Sequence, residues 1–223
     1  MKKMKLAAIV TAAVMFLFMS TLAGTAMAKE WKSGHPAAPD SVANLTHERF
    51  IDLVAEKTDG EIVIDGYPAE QLGPYRDMFD NVVRGIQEMG FLPVSPEFSP
   101  SLQAVYTVYL ADDWEQGKKI YAPDGWMFKL VEPIFADLGV KLLGFYFIGM
   151  DGLGSTKGPV VMPKDFVKQD IKVRVWCPAD RLLFQEIGAQ AVDIAFSELF
   201  TSLQTGVAHA QDNTPEVTYT MLR

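Results

Sequence analysis

Short apolar runs alternate with helical patterns along most of this chain. Residues 31–34 and 61–67 are predicted strands. Between them, apolar residues recur at helical spacing in a segment that Asp40 or Ser41 can cap and Gly60 ends. A strand, a helix and a second strand in this order predict a right-handed βαβ unit with parallel strands. The predicted core face of the helix consists of Val42, Leu45, Phe50, Ile51 and Val54.

The same alternation continues through the middle of the chain and predicts an α/β fold. A helix is predicted from Pro74, and others begin near residue 112 and at residue 125, the last one capped by Asp124. Strands are predicted at residues 91–95 and 140–147. Asp112 and Asp113 suit a helix start better than a paired-carboxylate site. The helix from Pro74 is expected to face the core with Met78, Val82, Val83, Ile86 and Met89.

Residues 169–216 combine the clearest strand with the most polar strand end. Ile171, Val173 and Val175 alternate with Lys172, Arg174 and Trp176, as in a half-buried strand. A helix ending at Gly188, an apolar run at 191–195, a short helix between Ser197 and Gly206, and a strand at 207–210 follow. Gln211, Asp212 and Asn213 then come at a carboxyl end, where open α/β sheets bind ligands. From spacing alone, Arg174 could equally be a solvated or ion-paired surface group.

The order KVRV, helix, AFSEL, LQTGV and a Q-(D/E)-N tripeptide resembles the solute-binding proteins of TRAP transporters, the tripartite ATP-independent periplasmic importers of organic acids. The resemblance implies a two-lobed, periplasmic-binding-protein-like α/β fold with mostly parallel sheets and hinge strands. In that family the strand arginine grips the ligand carboxylate and the asparagine contacts the ligand across the cleft. The matching residues are Arg174 and Asn213.

Three more residues are candidates for the ligand site. The turn at 68–73 is similar to an aromatic-P-x-x-Q-L-G turn of the family, so Gln71 could reach the ligand or simply be solvated. Trp176 could pack on the ligand or belong to the core. The family carries a second arginine close to the position of Asp151. A carboxylate there reverses the local charge, which favours a monocarboxylate or a ligand with amino or several hydroxyl groups facing Asp151.

The first residues predict export. A basic segment with Lys2, Lys3 and Lys5 precedes an apolar run at 6–19 and an A-x-A sequence, which together describe a signal peptide cleaved after Ala28. The alternative is an uncleaved membrane anchor. Cys177 is the single cysteine, so none follows the apolar run to carry a lipid, and it is expected to be a small buried side chain. These features predict a periplasmic protein.

Charge and motif content exclude several functions. The net charge of −8, more negative without the three leader lysines, argues against nucleic-acid binding. His35, His47 and His209 lack metal-ligand spacing, and the glycines between 149 and 158 lack a phosphate-loop lysine. No motif joins a nucleophile to a base, so we expect no enzyme activity, metal or cofactor. A binding protein of an ATP-driven importer, and a periplasmic enzyme, stay open as alternatives.

We expect three segments: a signal peptide at 1–28, lobe I at 29–150, and a crossover with most of lobe II at 151–223. The resemblance implies that family members continue through further helices and strands where this chain has Arg223, in a still helical pattern. The sequence is therefore expected to be a fragment or a truncated paralogue that binds ligand weakly or not at all by itself. The implied partners are a small carboxylate and the membrane subunits of a TRAP transporter.

Overall fold

Two parallel strands joined by a helix form the first part of the structure, a computed structural model that describes residues 28–221. Strand β1 (Lys29–Gly34), helix α1 (Val42–Lys57) and strand β2 (Ile62–Tyr67) follow in order, and the strands pair in parallel from Lys29↔Ile62 to Gly34↔Tyr67. The predicted βαβ unit is confirmed. The predicted signal peptide lies outside the described residues, apart from Ala28.

Strand β3 (Met89–Gly90) completes this sheet on the other side of β1 and is much shorter than expected. The predicted strand at 91–95 is wrong, because regular pairing stops at Gly90 and only the Phe91 amide still donates, to Gly34 O at 3.1 Å. Pro93 explains the break, since proline has no N–H to donate to a ladder.

Helix α1 turns a different face to the core from the one predicted. The Ser41 hydroxyl caps it by accepting from the Asn44 amide at 3.1 Å, as expected. However, Val42 and Leu45 are 55% and 57% exposed, and Ala43, Asn44 and His47 are buried. The polar side chains are drawn inward by hydrogen bonds to β1 and the turn after it. The face that remains outside carries the apolar Val42, Leu45, Phe50 and Leu53 beside Thr46 and Arg49.

The middle of the chain packs as helices around one apolar cluster. Helix α2 (Tyr75–Val83), a 3₁₀ helix (Pro100–Tyr106), helix α3 (Trp114–Tyr121) and helix α4 (Trp126–Asp137) surround it. The Asp113 carboxylate caps α3, accepting from the Gln116 amide at 2.8 Å, but the predicted Asp124 cap is wrong because Gly125 occupies that position. Ile86 is 67% exposed, contrary to its predicted core position. The buried members of the cluster are Phe79, Leu102, Val105, Met127, Val131 and Phe135.

The apolar run at 140–147 is not a strand, although the sequence predicted one. It pairs with no strand among the described residues, and its aromatic rings pack on helix α3 instead. Phe145 and Phe147 lie 5.5 and 5.6 Å from the ring of Tyr121. Gly117 of α3 makes room for this contact, because a Cβ there would stand 2.4 Å from Phe147. The apolar pattern thus reflected packing onto a helix rather than strand pairing.

The second sheet carries the strand of Arg174. Strands β4 (Gly152–Ser155), β5 (Lys172–Val175), β6 (Gln190–Asp193) and β7 (Ala210–Asn213) lie in the order β4-β7-β5-β6. Strand β5 is parallel to both β6 and β7, and β4 is antiparallel to β7. The predicted α/β class with mostly parallel sheets is confirmed. The predicted strand at 207–210 is displaced, since Gln211, Asp212 and Asn213 themselves belong to β7.

Four short helices accompany this sheet: α5 (Lys164–Lys168), α6 (Pro178–Glu186), α7 (Leu199–Thr205) and α8 (Pro215–Met221). Ser197 does not cap α7 as predicted, because a 3₁₀ turn (Phe196–Glu198) leads into it without a side-chain cap. Gly206 does end α7, in the left-handed conformation at φ 76° that glycine adopts without strain. Among residues 28–221, no helix is long and apolar enough to cross a membrane. The division into lobes at residue 150 stays a prediction.

Candidate functional site

Arg174 is buried in the second sheet with an incomplete set of partners. Its side chain is 3% exposed, its Nε donates to Ile194 O at 3.0 Å, and its guanidinium carbon lies 6.0 Å from the ring centre of Phe196. Neither Nη nitrogen has a hydrogen-bond partner in the described part of the chain, and no carboxylate there lies within 4.0 Å. Burial lowers the pKa of Arg174. Arg174 therefore forms no ion pair with any residue that the structure describes.

Asn213 shares a face of the sheet with Arg174. In the parallel ladder Arg174 pairs with Gln211, so their side chains point to the same side, and Asn213 follows two residues later. The Asn213 Oδ1 accepts from the Thr214 amide at 3.1 Å, which leaves its Nδ2 group without a partner among the described residues. Gln211 is 1% exposed and its Oε1 has no partner. Unfilled donors and acceptors thus occur together at this sheet.

Near Asp212 lies a second carboxylate, Asp180, that the sequence did not single out. Asp180 lies in the first turn of α6, and its Oδ2 accepts from the Trp176 amide at 3.3 Å. Burial raises the pKa of both carboxyls, the charge of Asp180 raises that of Asp212 further, and Arg174 partly counteracts the rise in both. Asp180 could be found only from structure, because nothing in the sequence ties the start of α6 to β7.

Asp151 lies directly before β4, at the end where Leu153 pairs with Asp212. More than a third of its surface is accessible. Desolvation nevertheless raises its pKa, and its charge also raises the pKa of Asp180 and Asp212. Asp151 is thus an accessible carboxylate whose charge acts on Asp180 and Asp212.

Trp176 connects two parts of the molecule, the first with strands β1–β3 and helices α1–α4 and the second with strands β4–β7 and helices α5–α8. Its ring meets that of Tyr106 edge-on at 4.5 Å, and its carbonyl oxygen accepts from Arg76 Nη2 at 2.7 Å. Arg76 also lies 3.3 Å from Glu97 and 3.8 Å from Asp193. Residues a hundred positions apart are therefore joined at this junction, and the half-buried Trp176 serves packing in addition to any role toward a ligand.

Gln71 and Tyr75 lie four positions apart in the sequence but differ in their surroundings. Tyr75 is 7% exposed, its hydroxyl accepts from Arg76 Nε at 3.3 Å, and its pKa is raised by burial against the opposing charges of Arg76 and Arg174. Tyr75 thus belongs to the surroundings of Arg174, and sequence reasoning missed it. Gln71 is exposed in the turn, with only a backbone hydrogen bond to Pro68 O, and no contact links its side chain to Arg174.

Removing the Arg76 side chain should loosen the junction between the two parts. We expect Arg76→Ala to lower the free energy of unfolding by about 2 kcal/mol, because a charge-assisted hydrogen bond to a carbonyl is lost. Urea unfolding would measure this, and small-angle X-ray scattering should show a larger radius of gyration. The control is Arg84→Ala at the end of the same helix, which removes only an exposed ion pair with Asp80 at 2.9 Å. If both variants lose the same unfolding free energy and keep the same radius of gyration, Arg76 does not hold the junction.

The histidines and Cys177 are satisfied structural groups. Ser33 Oγ and His47 Nε2 are 2.7 Å apart, His35 Nε2 and Asn44 Oδ1 are 3.0 Å apart, and the two rings meet edge-on at 4.8 Å. The ring of His209 accepts from the Lys172 amide at 3.1 Å. Cys177 is buried, as predicted. No group of three or more metal-ligating side chains occurs among residues 28–221.

Comparisons with a family model and with curated relatives both assign the chain to the same family. The DctP family, described as "Bacterial extracellular solute-binding protein, family 7", matches residues 33–222. The C4-dicarboxylate-binding periplasmic protein DctP of Rhodobacter capsulatus is 27% identical over 85% of this chain and 56% of its own length. The ectoine/5-hydroxyectoine-binding periplasmic protein UehA of Ruegeria pomeroyi is 27% identical over 86% of this chain and 56% of its own length.

Solved structures that are similar to this chain belong to the same family of solute-binding proteins. A TRAP periplasmic solute-binding protein of Roseobacter denitrificans with bound L-galactonate has a TM-score of 0.77 and 26% identity, covering 86% of this chain and 63% of that one. The predicted resemblance and fold are thereby confirmed. The relatives and structural neighbours are solute-binding proteins rather than enzymes. The chain spans a little over half the length of the two curated relatives named above.

Proposed function

Because this chain belongs to family 7 of the bacterial extracellular solute-binding proteins, we propose that it captures a small carboxylate in the periplasm and delivers it to the membrane subunits of a TRAP transporter. Its export would use the predicted signal peptide, cleaved after Ala28. The observation that carries the proposal is the buried Arg174, whose Nη groups have no partner among residues 28–221. A buried cation without a counter-ion is costly, and a ligand carboxylate would offset that cost.

We propose specific roles for the surrounding groups. Arg174 would hold the carboxylate through two parallel N–H···O bonds, a geometry that lysine cannot reproduce. Asn213 would donate from its Nδ2 group on the same face. Trp176, held by Tyr106 and Arg76, would present part of its ring to the body of the ligand. Gln71 has no contact toward Arg174, so we give it no role beyond the turn.

Ligand binding would be coupled to the junction between the two parts of the molecule. The Arg76 contacts to Trp176 and Asp193 hold the parts together in the present arrangement. A ligand that contacts both parts stabilises the arrangement in which they meet, because only there are all its contacts made. This arrangement would then be the form recognised by the transporter.

A thermal-shift screen tests the function. L-galactonate, succinate and ectoine represent the carboxylates that relatives bind, and galactitol is the control that lacks a carboxylate. Since the chain spans only part of its relatives' length, each compound is offered up to millimolar concentration. A compound at 100 times its Kd stabilises the native state by about 2.7 kcal/mol, which raises Tm by several degrees. The absence of any shift beyond that of galactitol, together with no heat in titration calorimetry, would overturn the proposal.

A further inference from the structure

Three exposed apolar side chains form a small tip on the second part of the molecule, between strands β4 and β5. Val161, Met162 and Val167, here called the apolar tip, are 80, 53 and 67% exposed. Val161 and Met162 lie in the turn before helix α5, and Val167 lies within that helix. Single exposed apolar side chains are ordinary, whereas apolar side chains grouped at one place mark contact surfaces.

Hydrogen bonds and packing hold the apolar tip in its exposed position. Asp165 Oδ2 accepts from the amides of Val161 and Met162 at 3.0 and 2.9 Å, which ties the turn to the start of α5. Phe166 points the other way, is 5% exposed in the core of the second sheet, and meets the ring of Phe184 edge-on at 5.8 Å. The helix that is anchored in the core therefore presents the tip outward.

Two lysines accompany the apolar tip on helix α5. Lys164 and Lys168 are exposed and lie four residues apart, so both are on the side of the helix that carries Val167. Neither lysine forms an ion pair with a residue that the structure describes. Asp165, the one carboxylate of this helix, binds the amides of the turn instead. The positive charges beside the tip are thus available to a partner.

The charge of this segment is opposite to that of the chain. Residues 157–172 contain four lysines and two aspartates, although the whole chain has a net charge of −8. Lys157 extends the basic group to the end of α5, where its Nζ donates to Gln169 O and Asp170 O at 2.8 and 2.7 Å. Basic and apolar groups are therefore combined at one corner of an otherwise acidic protein.

We propose that the apolar tip and its lysines bind the anionic surface of a lipid bilayer. The apolar side chains enter the headgroup region, and Lys164 and Lys168 meet the lipid phosphates. A protein partner would need acidic and apolar groups in one matching arrangement, whereas any anionic bilayer supplies both. Because the tip is small, this binding is weak and reversible.

The position of the tip leaves the proposed ligand site free. Helix α5 leads into the amino end of β5, since the Ile171 amide donates to Phe166 O at 2.9 Å. Arg174 and Asn213 lie farther along the parallel strands β5 and β7, toward their carboxyl ends. A molecule that rests on the bilayer through its tip can therefore still take up a ligand. It also stays in the layer next to the membrane, which raises its effective concentration for a membrane-embedded partner.

Vesicle co-sedimentation tests lipid binding. Protein recovered from the periplasm of an expression host is used after mass spectrometry shows that the apolar run at 6–19 is absent, because that run would itself bind lipid. Vesicles of phosphatidylglycerol mixed with phosphatidylcholine should retain at least about tenfold more protein than vesicles of phosphatidylcholine alone. Raising the salt from about 0.1 M to about 1 M shortens the Debye length from about 10 Å to about 3 Å and should remove most of this difference.

Paired variants locate the contact. Val161→Ser with Met162→Ser removes most of the apolar tip, and Lys164→Gln with Lys168→Gln removes its charges. Each pair should lower the partition into phosphatidylglycerol vesicles at least about tenfold. Thermal unfolding of each variant checks that the fold is retained, which is expected because all four side chains are exposed.

Matched controls lie on the first part of the molecule. Val42→Ser with Leu45→Ser removes apolar side chains of helix α1 that are 55 and 57% exposed. Lys118→Gln with Lys141→Gln removes two lysines that already form ion pairs at 2.6 Å. Both control variants should bind the vesicles as the parent protein does.

Three results would overturn the lipid surface. The first is equal retention on both kinds of vesicle, or tip variants that bind as the parent does. The second is an equal loss in the α1 control, since binding would then follow general hydrophobicity. The third is association that appears only when the vesicles contain transporter subunits, which would assign the tip to a protein partner.

Discussion

Arg174→Ala is expected to weaken carboxylate binding at least about 100-fold, and Arg174→Lys should recover little of the loss. Truncating one partner of a buried, hydrogen-bonded charge pair costs about 2–5 kcal/mol, of which 100-fold corresponds to about 2.7 kcal/mol. Lysine keeps the charge but not the planar pair of donors. Titration calorimetry with whichever acid binds the parent protein measures the effect.

The fold should tolerate the loss of Arg174, which makes this variant informative. Arg174 has no ion pair within the described residues, and its one hydrogen bond goes to a backbone carbonyl. Its removal also ends the burial of a charge, so we expect a change in unfolding free energy of no more than about 2 kcal/mol. Arg181→Ala is the control, since that arginine is more exposed and its contact with Asp193 is 3.5 Å. Parental affinity in both Arg174 variants would remove this residue from the site.

The second large expected effect is a loss of folding stability at low pH. Burial lowers the pKa of His47 from 6.5 to about 4, and the charge of nearby His35 acts in the same direction. The unfolded chain therefore takes up a proton first as the pH falls below about 6.5. Stability that is present above this pH declines as the pH approaches 4. The whole pKa difference of His47 between the unfolded and folded states corresponds to a loss of about 3 kcal/mol of unfolding free energy. His35, whose pKa is also lowered, adds to this loss.

His47→Phe isolates this contribution. The aromatic ring can keep the stacking on Phe91, whose ring plane lies within 4° of the histidine ring at 5.4 Å, but it cannot titrate. We expect a loss of about 1 kcal/mol at pH 7.5, because Ser33 loses its partner, and a smaller loss than the parent suffers between pH 7.5 and 4.5. Urea unfolding at the two pH values measures both. Phe91→Leu, which changes packing without removing a titratable group, should lower stability equally at both. If the parent and His47→Phe lose the same unfolding free energy between pH 7.5 and 4.5, the acid-induced loss does not come from His47.

The local pattern of the sequence predicted the strand of Arg174 but not everything that surrounds it. Alternation places Arg174 opposite Val173 and Val175, and the order of motifs brings Asn213 to a neighbouring strand. Tyr75 and Arg76 were missed because their contacts cross a hundred residues of chain, and no period of 2 or 3.6 reports such a distance. Contacts of that kind depend on how the two parts of the fold meet.

Two wrong predictions share another cause. Apolar periodicity assumes that hydrophobic residues take the core positions, but in helix α1 hydrogen bonds turn Asn44 and His47 inward and leave Val42 and Leu45 outside. The predicted strand at 140–147 is wrong because the aromatic rings of Phe145 and Phe147 pack on α3 and no strand pairs with this run among the described residues. Hydrophobicity indicates burial, and it does not by itself specify which partner provides it.

Strand β7 lies between β4 and β5 although it comes almost last in the described chain. The sheet around Arg174 consequently cannot close until the ribosome has made residues 210–213, and loop closure over more than fifty residues must precede the pairing of β4 with β7. This half of the molecule therefore acquires its cooperative structure only after residues 210–213 have been made. Such a delay would suit the proposed export, because a chain that is still unfolded can pass through a membrane channel.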